Sequence, residues 1–307
     1  MTPSTRWYLD VADEFFTSMG ARVNPIFDRF VEETGGLEGS DILFVQVAYG
    51  FAPEPTTPKH YLKRNPYVNP EGIKRQLDES VERGWLEVVG DGQYKPTAKS
   101  KEVAKNLFAL AEQTFGSFEA LPDADLKRIV ELLSKVVSKA RELPEPAAQW
   151  AMAWGQKFDK GPSAPLMVQV RRRMLDLGYY REGVHIAAWQ PYGVSGQTWE
   201  VLTYLWRGEA STAAELAEKL PYRNYDEASY AAVLDDLAER GWAAQENGKS
   251  VITTEGKKLR QEAEDTTDRY FDTPWVALDK AETKELKGLL KKLAQAVKPP
   301  EEETAQA

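Results

Sequence analysis

The 307-residue sequence contains no cysteine and only two histidines, His60 and His185. Without thiols the chain cannot form disulfides, thiolate metal sites or a cysteine nucleophile. No apolar run approaches the ~20 residues that a membrane-spanning helix needs, and the first residues lack the apolar block of a secretory signal. We therefore expect a soluble, cytoplasmic protein with no membrane partner.

Positive charge is also scarce, since 39 Lys and Arg residues face 48 Asp and Glu residues. Proteins that bind DNA through its phosphates usually concentrate cations on the contacting face. A local basic face can still act on an acidic body, so the composition leaves a confined DNA interface open. Hydrophobic residues make up 42% of the chain, which is enough for a sizeable core.

A four-residue segment is written twice in the chain. Glu82–Trp85 (ERGW) recurs as Glu239–Trp242, 157 residues later. Upstream of each copy, apolar residues recur at helical spacing after an Asn or Asp that suits a helix N-cap. Each predicted helix should end at Gly84 or Gly241, because glycine adopts the left-handed C-cap at least cost.

Both copies then change to the two-residue period of strands. Short extended runs surround Asp91-Gly92 in one copy and Asn247-Gly248 in the other, and these pairs are typical of tight β-hairpins. A long helix should follow each hairpin, starting near Thr97 or Thr253, and a last amphipathic helix follows that. A helix, a hairpin wing and a long helix make a winged-helix unit.

The fold expected from this pattern is mostly α with small β-hairpin wings, built as two tandem winged-helix repeats in a pseudo-dimer arrangement. Residues 1–145 would hold the first repeat with its flanking helices. Residues 146–297 would hold the second repeat with aromatic-rich leading helices, and residues 298–307 would be a disordered tail.

The order of parts resembles the MarR-type winged-helix regulators. Ile252–Leu259 (ITTEGKKL) matches the "Leu-Thr-x-x-Gly" opening of that family's long helix, whereas Ser100 stands in place of the glycine in the first half. The tracts 181–188 (REGVHIAA) and 264–269 (EDTTDR) look more specifically like the SalK-type helix-turn-helix group. That closer resemblance runs from about Arg171 to Leu290, and the first half is placed by internal similarity alone.

MarR-type proteins are dimers, and the resemblance implies a DNA-binding transcriptional regulator. Helix-turn-helix pairs present their reading helices about one DNA turn apart, ~34 Å. Two repeats in one chain could reproduce this arrangement as a monomeric pseudo-dimer, and a homodimer is the alternative. The expected DNA-contacting residues of the first half are Lys74, Arg75, Gln76, Lys95 and Lys99.

The predicted reading helix of the second half has a different charge. It offers Glu227, Asp235, Asp236 and Glu239, with Arg240 as its cation. A phosphate backbone repels such a face. The first helix also carries carboxylates, so an ordinary mixed-charge solvated face is its alternative interpretation.

Aromatic residues crowd the segment from Trp150 to Trp206. MarR-type relatives bind small aromatic molecules where the DNA-binding lobe meets the dimer helices, so the resemblance implies a pocket for a small aromatic ligand. Its expected residues are Trp154, His185, Trp189, Tyr192 and Trp199. The alternative is that these rings only pack a core.

The run Arg171–Arg173 is expected to be salt-bridged surface.

The sequence shows no pattern for catalysis, a metal or a cofactor. Gly193–Gln197 has glutamine where a nucleophile elbow requires its last glycine, and the two histidines lack zinc-ligand spacing. The leading hypothesis is therefore a ligand-responsive regulator. Its rival is a degenerate winged-helix module that binds a small molecule or protein without DNA, and an enzyme of unrecognised type is third.

Overall fold

A computed structural model describes residues 5–34, 39–143 and 149–299. Of the predicted tail, only residues 298 and 299 fall within this range. The chain forms two compact units, each assembled from separate stretches of sequence. We name residues 1–46, 98–184 and 268–307 the helical unit, and residues 47–97 and 185–267 the winged unit.

The chain is mostly helical, with two small antiparallel hairpins, as expected. The elements of the first half are α1 (Arg6–Glu33), α2 (Gly39–Phe51), α3 (Pro58–Arg64), α4 (Pro70–Glu82), β1 (Leu86–Gly90), β2 (Gln93–Pro96), α5 (Ala98–Gly116) and α6 (Asp123–Glu142). Helix α7 (Gln149–Gln156) follows. The elements of the second half are α8 (Leu166–Trp189), α9 (Gly196–Arg207), α10 (Ala213–Lys219), α11 (Glu227–Glu239), β3 (Ala243–Glu246), β4 (Lys249–Ile252), α12 (Thr254–Asp272) and α13 (Lys280–Ala296). Short 3-10 helices occupy Gln190–Tyr192, Pro221–Arg223 and Thr273–Ala277.

The two halves have the same order of elements. Helix α4 begins at Pro70 and α11 at Glu227, which is 157 residues later. The second hairpin is one residue shorter, because β1 is irregular between Val88 and Gly90 whereas β3 and β4 pair without a break. Thereafter α5 and α12 begin at Ala98 and Thr254, within a residue of the predicted starts.

The hairpin is joined to the helix before it in the same way in both halves. Gly84 and Gly241 have φ angles of 76° and 74°, so the predicted glycine stops are confirmed. The hydroxyl of Thr97 donates to the carbonyl of Gly84 at 2.9 Å, and the hydroxyl of Thr253 donates to that of Gly241 at 2.7 Å. These bonds satisfy carbonyls that a helix end leaves without a partner.

The helical unit packs α1, α6, α8 and α13 around one apolar core. Leu133 on α6, Val170 and Leu177 on α8 and Leu290 on α13 are at most 1% exposed. Each buried aliphatic side chain contributes ~1.5–3 kcal/mol relative to an exposed one. The core is therefore the main stabilising element of this unit.

The winged unit has its own core, centred on α9, α10 and α11. Trp199, Leu216, Tyr230 and Leu237 are at most 1% exposed there. This core fixes the inner face of α11 and leaves its outer face to solvent. Among the residues described, no helix of either unit is long and apolar enough to cross a bilayer.

Candidate nucleic-acid interface

Helix α4 presents the predicted DNA-contacting side chains of the first half. Its start is fixed by Asn69, whose side chain accepts a hydrogen bond from the amide of Glu71 at 3.0 Å. Ile73 and Leu77 are buried, so the helix turns Lys74 and Arg75 outward, where both are exposed. Sequence periodicity alone dictates this orientation.

The two exposed cations differ in their partners. The Lys74 amine donates to Asp78 at 2.6 Å, and this hydrogen bond raises the pKa of Lys74. The hydroxyl of Tyr94, on wing strand β2, donates to the other oxygen of Asp78 at 2.7 Å. Both bonds hold the pKa of Asp78 below its usual value, that from Lys74 being the larger. Arg75 has no carboxylate partner among the described residues.

The remaining predicted DNA-contacting residues are divided between the two units. Gln76 is half-buried on α4, and Lys95 is half-buried on β2, where it pairs with Glu87 of β1. Both belong to the winged unit together with Lys74 and Arg75. Lys99 is exposed near the start of α5, in the helical unit.

Helix α11 provides an internal comparison for α4. At the offset of 157 residues, Lys74 corresponds to Ala231 and Arg75 to Ala232, and both alanines are exposed. Arg240, the nearest cation, donates to Asp236 at 2.9 Å. The winged unit as a whole contains 15 Lys and Arg residues against 21 Asp and Glu residues, a net charge of −6. Lys74 and Arg75 therefore distinguish the outer face of α4 from that of α11, within a unit that is acidic as a whole.

The two helix-turn-helix segments contact each other within the winged unit. The amide of Asn69 donates to the carbonyl of Arg223 at 2.9 Å, and the Asn69 side chain donates to the carbonyl of Asn224 at 2.8 Å. Residues 65–72, which link α3 to α4 and include the first turn of α4, thus pack on the turn that precedes α11. We name these contacts the turn–turn contact.

Arg223 holds the turn–turn contact together electrostatically. Its guanidinium donates to both carboxylate oxygens of Glu200, at 2.6 and 2.9 Å, and to the side-chain oxygen of Asn65 at 3.1 Å. The Arg223 and Glu200 side chains are 15% and 13% exposed. Burial raises the pKa of Glu200, and the adjacent Arg223 opposes that rise.

Two glycines allow the backbones to approach this closely. A Cβ on Gly196 would lie 2.1 Å from the carbonyl oxygen of Pro66, and one on Gly72 would lie 2.6 Å from the Cβ of Asn224. No side chain larger than hydrogen fits these positions without movement of the backbone or of Asn224. Nothing in the local sequence indicates these two glycines, because their partners are far away in the chain.

The turn–turn contact brings the starts of α4 and α11 together. Asn69 contacts Arg223, and the α11 N-cap Asp226 is three residues further on, so the two N-caps lie within ~20 Å of each other. Reading helices on successive major grooves are ~34 Å apart and use their N-terminal residues. The expectation of two reading helices one DNA turn apart is therefore wrong for these helix starts.

The predicted ligand-pocket residues are not brought together. Trp189 and Trp199 stack with ring centroids 5.8 Å apart, Tyr192 stacks on Trp199 at 5.6 Å, and both tryptophans are at most 2% exposed. His185 Nδ1 lies 3.3 Å from the hydroxyl of Thr267. The three rings form one packed stack, and all four of these residues belong to the winged unit.

Trp154, the fifth predicted pocket residue, lies in the helical unit. There it lines a cavity of about 310 Å³ together with Phe115, Phe158, Arg171 and Arg172. In the arginine run beside it, Arg172 and Arg173 form salt bridges as expected, whereas the expected surface position is wrong for Arg172. Arg172 is only 7% exposed, and its guanidinium lies over the ring of Tyr179 on α8 at 5.3 Å.

Ser195 and His60, which the sequence offers by residue type as candidates for a nucleophile and a metal ligand, have structural roles. Ser195 is the N-cap of α9, where its hydroxyl accepts from the amide of Thr198 at 3.0 Å. His60 stacks on Phe51, with ring centroids 4.5 Å apart. Across the described ranges, no three His, Asp or Glu side chains converge in a group that could hold a metal ion.

Comparison with known proteins places a helix-turn-helix family in the second half. Residues 179–301 match the model of a helix-turn-helix family. That range covers α9, α10, α11 and the second hairpin, which agrees with the geometry above. A helix-turn-helix match points to a DNA-binding regulator in general. No curated protein and no solved structure matches the chain.

Proposed function

We propose that the chain is a MarR-like winged-helix regulator whose first half carries the DNA-contacting surface. Residues 1–145 and 146–297 act as two tandem winged-helix repeats, of which the first contacts DNA. Helix α4 and its wing contact DNA through Lys74, Arg75, Gln76 and Lys95. Helix α11 serves as the structural partner that positions α4.

The observation that supports this proposal is the difference between the outer faces of α4 and α11. The first half has Lys74 and Arg75 where the second has Ala231 and Ala232, although the two helices have the same length and position in the fold. Cations at such positions neutralise phosphates, whereas alanines and the neighbouring carboxylates cannot. Arg75, which has no carboxylate partner in the described chain, is the residue most ready for this role.

The turn–turn contact limits how α4 can read DNA. Asn69 and Gly72 at the helix start are occupied by Arg223 and Asn224, so the middle of α4 must supply the contacts. Phosphate contacts position a protein but do not select a sequence. We therefore expect that electrostatic contacts supply most of the free energy of DNA binding. The sequence preference should be modest, and Gln76 contributes to it.

The test is retention of DNA by the full chain at low salt. Selection of bound fragments from genomic DNA should succeed with the wild type and fail with the Lys74→Ala/Arg75→Ala double variant. The matched control is Lys291→Ala/Lys292→Ala, which removes two exposed cations from α13 in the helical unit. Equal retention by both double variants would contradict the proposal.

A second function is favoured by the charge of the winged unit. Its net charge of −6 and the exposed carboxylates of α11 suit a winged-helix module that has lost DNA and binds a protein or small molecule. In that case the wild type would retain no DNA even at low salt. A basic protein partner would then be recovered on α11, and Asp235→Asn would weaken it.

A further inference from the structure

The cavity of the helical unit combines apolar walls with two arginines, the buried Arg172 and the half-buried Arg171. It measures about 310 Å³, which is near the lower limit of ligand pockets, ~300–1,000 Å³. Its walls include Phe108, Phe115, Trp154, Phe158 and Tyr179. A space of this kind, lined by rings and a few charged groups, is typical of a site for a small molecule with one polar end.

The charges around the cavity do not balance. Four guanidinium groups lie close together, those of Arg141, Arg171, Arg172 and Arg173. Among the described residues, Asp176 and Asp159 pair with this cluster. Asp176 accepts ion pairs from Arg172 at 2.8 Å and Arg173 at 3.1 Å, and Asp159 pairs with Arg173 at 2.6 Å. Glu112, also in the cavity wall, pairs with Lys160 at 3.7 Å.

Arg171 is the cation left over. Its guanidinium lies over the ring of Phe115 at 4.1 Å, and no carboxylate of the described residues lies within ion-pair distance of it. Burial, reinforced by the charge of Arg172, lowers the pKa of Arg171 to about 10. The side chain remains charged at neutral pH. A buried cation is costly unless an anion compensates it.

Arg172 pairs with Asp176 but still has an unused donor. Arg172 is only 7% exposed, and its Nε donates no hydrogen bond within the part of the chain described. Two neighbouring arginines in the cavity wall therefore have donor capacity in excess of the carboxylates around them. Guanidinium groups match the planar geometry of a carboxylate.

The aromatic walls favour a flexible apolar body over a flat one. Trp154 already packs edge-on with Phe158 at 5.0 Å and with Tyr179 at 5.5 Å, and Phe108 contacts Phe158 at 5.7 Å. The rings therefore cover part of one another's surface, which leaves less flat ring surface for a ligand to stack on. If a methylene group occupies about the volume of a water molecule, ~30 Å³, the cavity holds about ten such groups.

We propose that this cavity binds an aliphatic carboxylic acid of about eight to ten carbons, with its carboxylate on Arg171 and Arg172 and its chain among the aromatic rings. The site is separate from the proposed DNA-contacting surface, and neither proposal depends on the other. The acid supplies an anion for Arg171, which has no carboxylate partner among the described residues.

Calorimetric titration of the full chain tests the proposal with octanoate below its micelle concentration. The neutral probe of equal length, 1-octanol, is titrated in parallel. A charged hydrogen bond lost from a buried site lowers affinity by about tenfold or more. Octanoate should therefore bind at least about tenfold more tightly than octanol.

Three variants assign the binding to this cavity. Arg171→Gln should remove the preference for octanoate over octanol. Ala111→Phe should fill the cavity and weaken both probes, and it keeps the test valid if Arg171→Gln does not fold. Arg207→Gln, an exposed arginine of the winged unit, is the matched control and should change nothing. Equal affinity for the two probes, or an unchanged preference in folded Arg171→Gln, would overturn the proposal.

Discussion

Removal of Arg223 is the sharpest test of the turn–turn contact. The Arg223→Met variant keeps an apolar side chain of similar length and removes the guanidinium. Glu200 then loses three hydrogen bonds, at 2.6, 2.9 and 3.1 Å, and is left as a largely buried carboxylate without its partner. Asn65 loses its bond to the same group.

The magnitude follows from the burial of the pair. Breaking a fully buried ion pair by deleting one partner costs ~3–5 kcal/mol. Because the Arg223 and Glu200 side chains are 15% and 13% exposed, we expect the lower end, about 3 kcal/mol, or roughly 10 °C in Tm. The double variant Arg223→Met/Glu200→Leu removes both charges and should recover more than half of that loss.

The loss should also depend on pH in a defined direction. Burial raises the pKa of Glu200 in the folded protein, and Arg223 opposes this rise. Without Arg223 the pKa rises further, so the folded variant favours the protonated carboxyl. Above that pKa the charged group destabilises the fold, and this cost falls as the pH is lowered through it. The deficit should therefore be larger at pH 8 than at pH 5.

The measurement is thermal unfolding of wild type, both single variants and the double variant at pH 5 and pH 8, followed by circular dichroism. Amide exchange of residues 65–72 locates the effect, because Asn69 donates its amide proton to the Arg223 carbonyl. A double variant as unstable as Arg223→Met would refute the reasoning. So would a deficit that is the same at both pH values.

Two further predictions concern local backbone structure. Gly256→Ala should destabilise the winged unit by ~1–3 kcal/mol, because its Cβ would lie 2.2 Å from the Trp242 carbonyl oxygen, whereas Gly288→Ala in the open middle of α13 should raise Tm. A rise for both in thermal melts would contradict the steric argument. Asp279→Ala should lower the stability of the helical unit by ~1 kcal/mol, because Asp279 accepts from the Glu282 amide at 2.8 Å to begin α13. Chemical unfolding that matches the wild type would exclude that capping contribution.

Local backbone chemistry explains what could be predicted from the sequence. Gly84 and Gly241 end helices because their φ angles are positive, and Asn247-Gly248 forms a hairpin turn for the same reason. The matching glycine of the long helix, Gly256, is required by the close approach of the Trp242 carbonyl. Such constraints act over a few residues and can be read directly from residue type.

Long-range packing explains what could not be predicted. Arg223 contacts Asn65 across 158 residues of sequence, and nothing local to either residue indicates the partner. Three consecutive arginines, Arg171–Arg173, indicate a solvated helix face. The sequence does not show that aromatic side chains pack against them. Trp154 and Trp189 belong to one aromatic-rich stretch of sequence, yet the chain divides them between two units.

The salt dependence of DNA binding tests the proposed function most directly. The slope of log affinity against log salt concentration is measured for the wild type, for Lys74→Ala/Arg75→Ala and for Ala231→Lys/Ala232→Arg. Two phosphate contacts contribute about 1.8 to this slope. We predict that the salt slope of Lys74→Ala/Arg75→Ala is smaller by about that amount. Adding Ala231→Lys/Ala232→Arg to this variant gives α11 the residues of α4 and should not restore the slope, because α11 does not contact DNA in this proposal. An unchanged slope in Lys74→Ala/Arg75→Ala, or no binding by the wild type at low salt, would contradict the assignment of DNA contact to α4.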